Sequence, residues 1–270
     1  MSRYSELTFV GLGLNSEKNM SLLGLEEANK ADAVFMELYT SLMPELNLKR
    51  LERLIKKPIH VVHRRDLEED SGKRIVQSAR KGKTVLLVPG DPLMATTHVD
   101  LRIRAEKQGI KTRIVHGASI VSAVIGLSGL QNYKFGRSVT IPFSDAGSTD
   151  ATPYNVIGEN LKMDLHTLCF LDIRTEEKKY MTIKDALDVL FTLERNKRQR
   201  VVSENTLAVG IARAGSDNPA VRADHVKQLK KFNFGKPPHT LVFPGKLHFM
   251  EAEALVALAE APQEILEMSK

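Results

Sequence analysis

The chain has 270 residues, 42% hydrophobic and 27% charged, which excludes collagen-like and wholly disordered proteins. Its 39 basic and 33 acidic side chains leave a formal net charge of +6, a mild preference for acidic partners. Tryptophan is absent and aromatic residues make up only 6%, so a surface that stacks nucleic-acid bases is not expected.

The cellular setting is indicated by features that the sequence lacks. Cys169 is the single cysteine and cannot form an internal disulfide, which fits a reducing compartment. No apolar run approaches the roughly 20 residues of a membrane span, and the first residues do not resemble a signal peptide. Zinc-finger spacing of Cys and His is also absent. We therefore expect a cytoplasmic protein with no membrane span and no metal site.

Apolar segments of strand length alternate with helix-period segments through the first half of the chain. The predicted strands are residues 7–10, 33–36, 59–62, 84–88 and 112–115. The predicted helices are residues 21–31, 73–81, 97–108 and 118–127. Strands that alternate with helices form βαβ units, so the pattern predicts an α/β fold with a largely parallel sheet.

The alternation of predicted strands and helices weakens at 132–137, where we place a linker. A polar loop follows at 142–152. Alternation then resumes, with a capping box from Thr182 to Asp185 at the start of one helix. The predicted strands are residues 167–173, 206–211 and 240–243, and a last helix covers 248–259. The sequence thus predicts two α/β domains, residues 1–131 and 137–270.

Two loops after predicted strands carry candidate binding residues. The first strand ends in Gly-Leu-Gly-Leu at 11–14, which indicates either a closely approached backbone or a tight turn. The third glycine of a dinucleotide fingerprint would fall at Ser16 and is missing. The run Pro-Gly-Asp-Pro-Leu-Met at 89–94 places Asp91 at the carboxyl end of a strand, the edge where open α/β sheets bind ligands. Asp91 is either a ligand anchor or a turn residue that caps the next helix.

The sequence gives little support for nucleophilic catalysis. Ser119 can cap a helix or offer its hydroxyl to a ligand, and His116 fits a satisfied structural histidine. Cys169 falls inside a predicted strand, so it is expected to be buried packing. No GxSxG elbow occurs. We assign no catalytic residue.

Taken together, the loops at 11–14 and 89–98 and the pair Ser119–Ile120 resemble the tetrapyrrole-methylase-fold methyltransferases that use S-adenosylmethionine (SAM). Further segments narrow the resemblance to the diphthine synthases within that family, and they keep their order along nearly the whole chain. These segments are 37–42, 133–136, 170–173, 212–216, 237–239 and 244–248.

The resemblance implies two αβα domains with a cofactor cleft between them, in a homodimer. It implies trimethylation of the amino group of the 3-amino-3-carboxypropyl-histidine of translation elongation factor 2, with S-adenosylhomocysteine as the other product. The loop at 144–153 does not match and contributes no residue. The SAM contacts that the resemblance implies are Leu14, Asp91, Met94, Ser119, Ile120, Leu171, Ala214 and His239.

These residue types suit SAM, which has no phosphate and therefore needs no phosphate-binding glycine loop. Leu14, Met94, Ile120, Leu171 and Ala214 would supply apolar contact; Asp91, Ser119 and His239 would supply polar anchors. Three alternatives stay open: a four-methyl reaction that also esterifies a carboxylate, a precorrin-type tetrapyrrole methyltransferase, and a basic RNA-binding module. No membrane or direct nucleic-acid partner is expected.

Overall fold

The computed structural model describes residues 5–144 and 149–267, and the chain divides into two compact units between Ile120 and Val121. The predicted first domain runs on to residue 131. Part of the predicted polar loop, residues 145–148, lies outside the described residues. Across the described residues, no helix combines the length and the apolar character needed to cross a bilayer.

The first unit is built on a parallel sheet, as the alternation of strands and helices predicts. Its described strands lie in the order β3-β2-β4-β1-β5, and every pairing between them is parallel. The strands are β1 (Glu6–Gly11), β2 (Ala33–Glu37), β3 (Ile59–Val62), β4 (Lys83–Val88) and β5 (Lys111–Val115). The helices are α1 (Leu22–Lys30), α2 (Leu48–Ile55), α3 (Arg64–Glu68), α4 (Lys73–Lys81) and α5 (His98–Lys107).

Both faces of this sheet are covered by helices. Successive residues of a strand point to opposite faces, and Phe9 and Val10 of β1 accordingly enter two different hydrophobic clusters. Phe9 packs in the cluster that contains Ile75 of α4 and Leu101 of α5. Val10 packs in the cluster that contains Leu51 of α2. The first unit is therefore an αβα sandwich, as expected from the sequence.

In the second unit the described sheet is mixed, in the order β11-β10-β12-β7-β6. The strands are β6 (Val139–Ile141), β7 (Thr167–Leu171), β10 (Leu207–Ala212), β11 (Ala220–His225) and β12 (His239–Phe243), with a small separate hairpin of β8 (Ile173–Arg174) and β9 (Lys179–Tyr180). Only β6 and β7 pair parallel; β10 pairs antiparallel with β11 and β12, and β12 with β7. For this sheet the expectation of largely parallel strands is wrong. The short segment 213–219 between β10 and β11 permits a hairpin, whereas a parallel crossover needs about a dozen residues or more.

The capping box predicted from Thr182 to Asp185 is confirmed. The Asp185 backbone N–H donates to the Thr182 hydroxyl (3.2 Å), and the Thr182 N–H donates to the Asp185 carboxylate (3.0 Å). Cys169 is fully buried in β7, as predicted, and burial raises the pKa of its thiol. The helices are α6 (Ile120–Ser128), α7 (Thr152–Lys162), α8 (Ile183–Lys197), α9 (Val226–Leu229) and α10 (Phe249–Ala259).

A buried carboxylate joins the predicted linker to α10 inside the second unit. The fully buried Glu251 accepts hydrogen bonds from His166 Nε2 (2.8 Å), Lys134 Nζ (2.6 Å) and the backbone N–H groups of Gln131 (2.9 Å) and His248 (2.8 Å). Burial by itself would raise the pKa of Glu251, but these donors outweigh burial and hold the pKa at about 2. The segment at 132–137 is thus anchored to the second unit.

Candidate functional site

Three loops meet at the carboxyl edge of the first sheet, after the neighbouring strands β4, β1 and β5. Two backbone hydrogen bonds join the first two loops, from Gly13 N to Gly90 O (3.2 Å) and from Gly90 N to Gly13 O (2.7 Å). Both glycines have a positive φ, +78° at Gly13 and +71° at Gly90, a conformation that glycine adopts readily. The Gly-Leu-Gly run therefore serves to pair one loop with the next.

The sequence suggested that another group closely approaches the backbone at Gly11. In the structure that group is the backbone of the chain itself. A Cβ atom on Gly11 would stand 2.6 Å from both Gly117 N and Gly90 O. A Cβ atom on Gly117 would stand 2.4 Å from Gly90 O. Any side chain at 11 or 117 would thus push the three loops apart, so these glycines set the shape of the edge.

Asp91 lies in the loop after β4, with a side chain that is only 11% exposed. Its Oδ1 accepts a hydrogen bond from the Leu93 backbone N–H (3.2 Å), and its Oδ2 lies 2.7 Å from His116 Nδ1. Since α5 begins only at His98, Asp91 does not cap that helix, and this alternative from the sequence is wrong. His116 is also not a core histidine, because its side chain is 76% exposed.

All five first-unit candidates lie at or just after these strand ends. Leu14, Ser119 and Ile120 are half-buried. Met94 is 47% exposed, and its backbone N–H donates to Asp91 O (3.3 Å). The sheet order explains the grouping, because the carboxyl ends of adjacent parallel strands share one edge. The fold brings the candidates of the first unit to that edge.

A buried polar network that the sequence analysis did not assign supports the loop after β4. Glu37, at the end of β2, is fully buried and accepts from the backbone N–H groups of Tyr39 (2.9 Å) and Thr40 (3.1 Å). Its Oε1 lies 3.2 Å from Nε2 of the buried His98. Since His98 follows directly on the loop, Glu37 ties that loop to the neighbouring strand. Both residues belong to segments that carry the family resemblance. That resemblance was the one signal in the sequence that could have identified them.

The three second-unit candidates gather at one end of the second sheet. His239 is the first residue of β12 and pairs with Ala212, the last residue of β10, and Ala214 follows two residues later. Leu171 ends β7, whose preceding residue Phe170 pairs with Thr240. Antiparallel pairing therefore places the start of β12 beside the ends of β10 and β7. Leu171 is buried, and Ala214 and His239 are half-buried.

His239 has backbone partners for both of its ring nitrogens. Nδ1 accepts a hydrogen bond from the Ile183 N–H (3.2 Å), and Nε2 lies 3.1 Å from Gly235 O. Burial lowers the pKa of the imidazole, so the ring is neutral near pH 7, with its proton on Nε2. A ligand would meet the ring face or the backbone of His239 and not a free ring nitrogen.

Arg213, which the sequence analysis did not assign to the site, shapes the loop that carries Ala214. The backbone of Arg213 adopts a positive φ of +52°. Its guanidinium donates to Phe234 O (2.6 Å) and Lys236 O (2.9 Å). These bonds tie the loop after β10 to the segment before β12. The Arg213 N–H also donates to Pro238 O (2.8 Å), so the residue directly before Ala214 is fixed through both its side chain and its backbone.

Known proteins resemble this chain over nearly its whole length. The family model for the tetrapyrrole (corrin/porphyrin) methylases matches residues 6–230. A diphthine synthase of Methanosarcina mazei is 50% identical over 266 residues, 97% of this chain and 98% of the relative. A diphthine synthase of Methanosarcina barkeri is 51% identical over 261 residues, 95% of this chain and 97% of the relative.

Among solved structures, a crystal structure of diphthine synthase superimposes with a TM-score of 0.88 at 44% identity, covering 97% of this chain and 99% of that chain. Sequence and fold thus agree over nearly the full length. The chain therefore belongs to the tetrapyrrole methylase family and, within it, to the diphthine synthases, which are SAM-dependent methyltransferases.

Proposed function

We propose that this methyltransferase transfers three methyl groups from SAM to the amino group of the 3-amino-3-carboxypropyl-histidine of translation elongation factor 2. The observation that carries the proposal is the grouping of Leu14, Asp91, Met94, Ser119 and Ile120 at one sheet edge, in a chain of the diphthine synthase family. Open α/β sheets bind their ligands at such an edge.

The residues at the two sheet ends suit SAM chemically. The cofactor carries an ammonium group and ribose hydroxyls, for which the Asp91 carboxylate is a strong acceptor. Leu14, Met94 and Ile120 of the first unit and Leu171 and Ala214 of the second would line the nucleoside and the sulfonium. Contributions from both units to one SAM molecule are part of the proposal and rest on the family resemblance.

Methyl transfer to the amine depends strongly on how the two reactants are oriented. When bound, SAM supplies an electrophilic methyl group on a sulfonium. The apolar residues would exclude water from that centre, and the fixed loops would hold an incoming amine in line with it. A free α-amino group has a pKa near 7.7–8.0, so about a tenth of it is neutral and nucleophilic at pH 7.

The proposal extends to assembly and location. The family resemblance supports a homodimer. Elongation factor 2 as the protein substrate would place the enzyme in the cytoplasm, where translation takes place. Analytical ultracentrifugation of the purified chain tests the first point, with a monomer over the micromolar range as the contrary result.

Two measurements test the function itself. Titration calorimetry with SAM should show one binding isotherm, and mass spectrometry of elongation factor 2 that bears the precursor should show three added methyl groups. A fourth methyl group would select the ester-forming reaction, and turnover of a free porphyrinoid alone would select a tetrapyrrole methylase. RNA binding that weakens steeply with salt, without SAM affinity, would select the RNA-binding alternative.

A further inference from the structure

His116 lies directly after β5 and presents most of its ring to solvent at the candidate SAM edge. Its Nδ1 is 2.7 Å from Asp91 Oδ2, and its side chain is 76% exposed against 11% for Asp91. An ionised carboxylate only accepts hydrogen bonds, so Nδ1 carries the proton and donates it to Asp91. In the neutral ring Nε2 is then the basic nitrogen. Within the described part of the chain, that nitrogen has no hydrogen-bond partner.

Two other titratable side chains next to this edge, His98 and Tyr39, are closed off from solvent. His98 is buried, and its Nε2 faces the buried Glu37 at 3.2 Å. Tyr39 is also buried, and burial raises the pKa of its phenol well above the usual value. An approaching molecule can therefore reach the ring of His116 and neither of these two side chains.

We propose that His116 is a catalytic residue of the methyl transfer, the proton acceptor for the acceptor amine, with Asp91 orienting its ring. The inference rests on the proposed function and adds the base that the sequence did not reveal. A carboxylate that holds Nδ1–H fixes the tautomer and the direction of the imidazole, which is the general arrangement of a base and its orienting group. Among the described residues, Asp91 is the charged group in contact with the ring.

The step balances without any further reactant. The acceptor ammonium gives one N–H proton to Nε2 of His116, and the freed lone pair forms the new N–C bond. The C–S bond of SAM breaks, and its electron pair stays on sulfur in S-adenosylhomocysteine. The imidazolium then releases its proton to solvent, to which its exposed ring is open. Three transfers that start from the ammonium release three protons, whereas esterification of a carboxylate would release none and need no base.

The variant His116→Asn separates proton transfer from the positioning of Asp91. The asparagine amide can still donate to Asp91 Oδ2 from near the place of Nδ1, but asparagine has no group that accepts a proton at neutral pH. We therefore expect an unchanged SAM affinity by calorimetry and slower methyl transfer to precursor-bearing elongation factor 2. Without an acceptor in the site, only complexes formed with the neutral amine react. From an amine pKa near 7.7–8.0, the rate should fall roughly tenfold at pH 7 and less than twofold at pH 9.

The matched control is His225→Asn. His225 is the last residue of β11 and pairs with Leu207, the first residue of β10, so it lies at the end of the second sheet opposite His239. Its Nε2 also faces a carboxylate, Glu264, at 3.6 Å. This variant should keep the wild-type rate at both pH values.

Single-turnover rates with saturating SAM decide the matter. A wild-type rate for His116→Asn at pH 7, a loss that is the same at pH 9, or a loss that follows weakened SAM binding would each overturn the proposal. A wild-type enzyme that fails to bind SAM or to methylate the elongation factor would instead refute the proposed function, before any variant is compared.

Discussion

Gly117→Ala would test whether the packing of three glycine loops builds the candidate site. The new Cβ atom would stand 2.4 Å from Gly90 O and 2.9 Å from Gly11 Cα, whereas ordinary contact begins near 3.4 Å. The carbonyl at Gly90 would have to move by about 1 Å, which stretches its hydrogen bond from Gly13 and displaces Asp91 one residue later. Overpacking of this kind costs about 1–3 kcal/mol, and a weakened hydrogen bond adds about 1 kcal/mol.

We therefore expect Gly117→Ala to lower the free energy of unfolding by about 2–4 kcal/mol and to weaken SAM binding about tenfold or more. Urea denaturation followed by circular dichroism gives the first quantity and titration calorimetry the second. The matched control is Gly126→Ala in α6, where a Cβ atom would meet nothing within 4 Å. Alanine there should be neutral or stabilise by up to about 1 kcal/mol. If Gly117→Ala unfolds within about 0.5 kcal/mol of wild type and binds SAM as well, the reasoning about the loops is refuted.

Three further predictions address single residues. Asp91→Ala should weaken SAM binding by about 1–3 kcal/mol through loss of a charge-assisted hydrogen bond; an unchanged calorimetric affinity in a folded variant would remove Asp91 from the site. Ala214→Leu should obstruct SAM while the melting temperature changes little, and normal binding would place Ala214 elsewhere. The pKa of Glu251, about 2 against an ordinary 4.5, stabilises the fold above pH 4.5, and this stability is lost as pH falls toward 2. The loss amounts to about 3 kcal/mol. Urea denaturation across that range should show a shallower pH dependence in Glu251→Gln, and an equally steep one would contradict the assignment.

The first unit could be predicted well from the sequence because its central strands β1, β2 and β4 are buried on both faces. Such strands read as short continuous apolar runs, as in β4, and the helix predicted at 73–81 has the bounds of α4. The helix α2 was not predicted although Leu51 and Ile55, four residues apart, are its buried positions. Four charged residues of α2, Lys49, Arg50, Glu52 and Arg53, interrupt its apolar stripe, and α3 is too short to show a helical period.

The second sheet shows where the pattern of residues is insufficient. The strand β11 was not predicted, since Arg222 and Asp224 interrupt its apolar residues; in the fold these two side chains pair with each other at 3.0 Å. Without β11 the hairpin with β10 cannot be recognised. The directions of the neighbouring strands were then predicted by analogy with the first unit, and that analogy is wrong. Local composition does not encode strand direction, which depends on the length of each connection.

At the candidate site, single residues could be predicted but their partners could not. Asp91 follows directly from a strand end, whereas its contact with His116 joins residues 25 positions apart in sequence and depends on β1 lying between β4 and β5. That strand order also explains why positions 11, 90 and 117 are glycines. Gly11 and Gly117 leave room for the carbonyl of Gly90, and Gly90 itself adopts a positive φ of +71°. The three positions therefore meet one steric requirement together, and a side chain at 11 or 117 would displace the loops that carry Asp91 and His116.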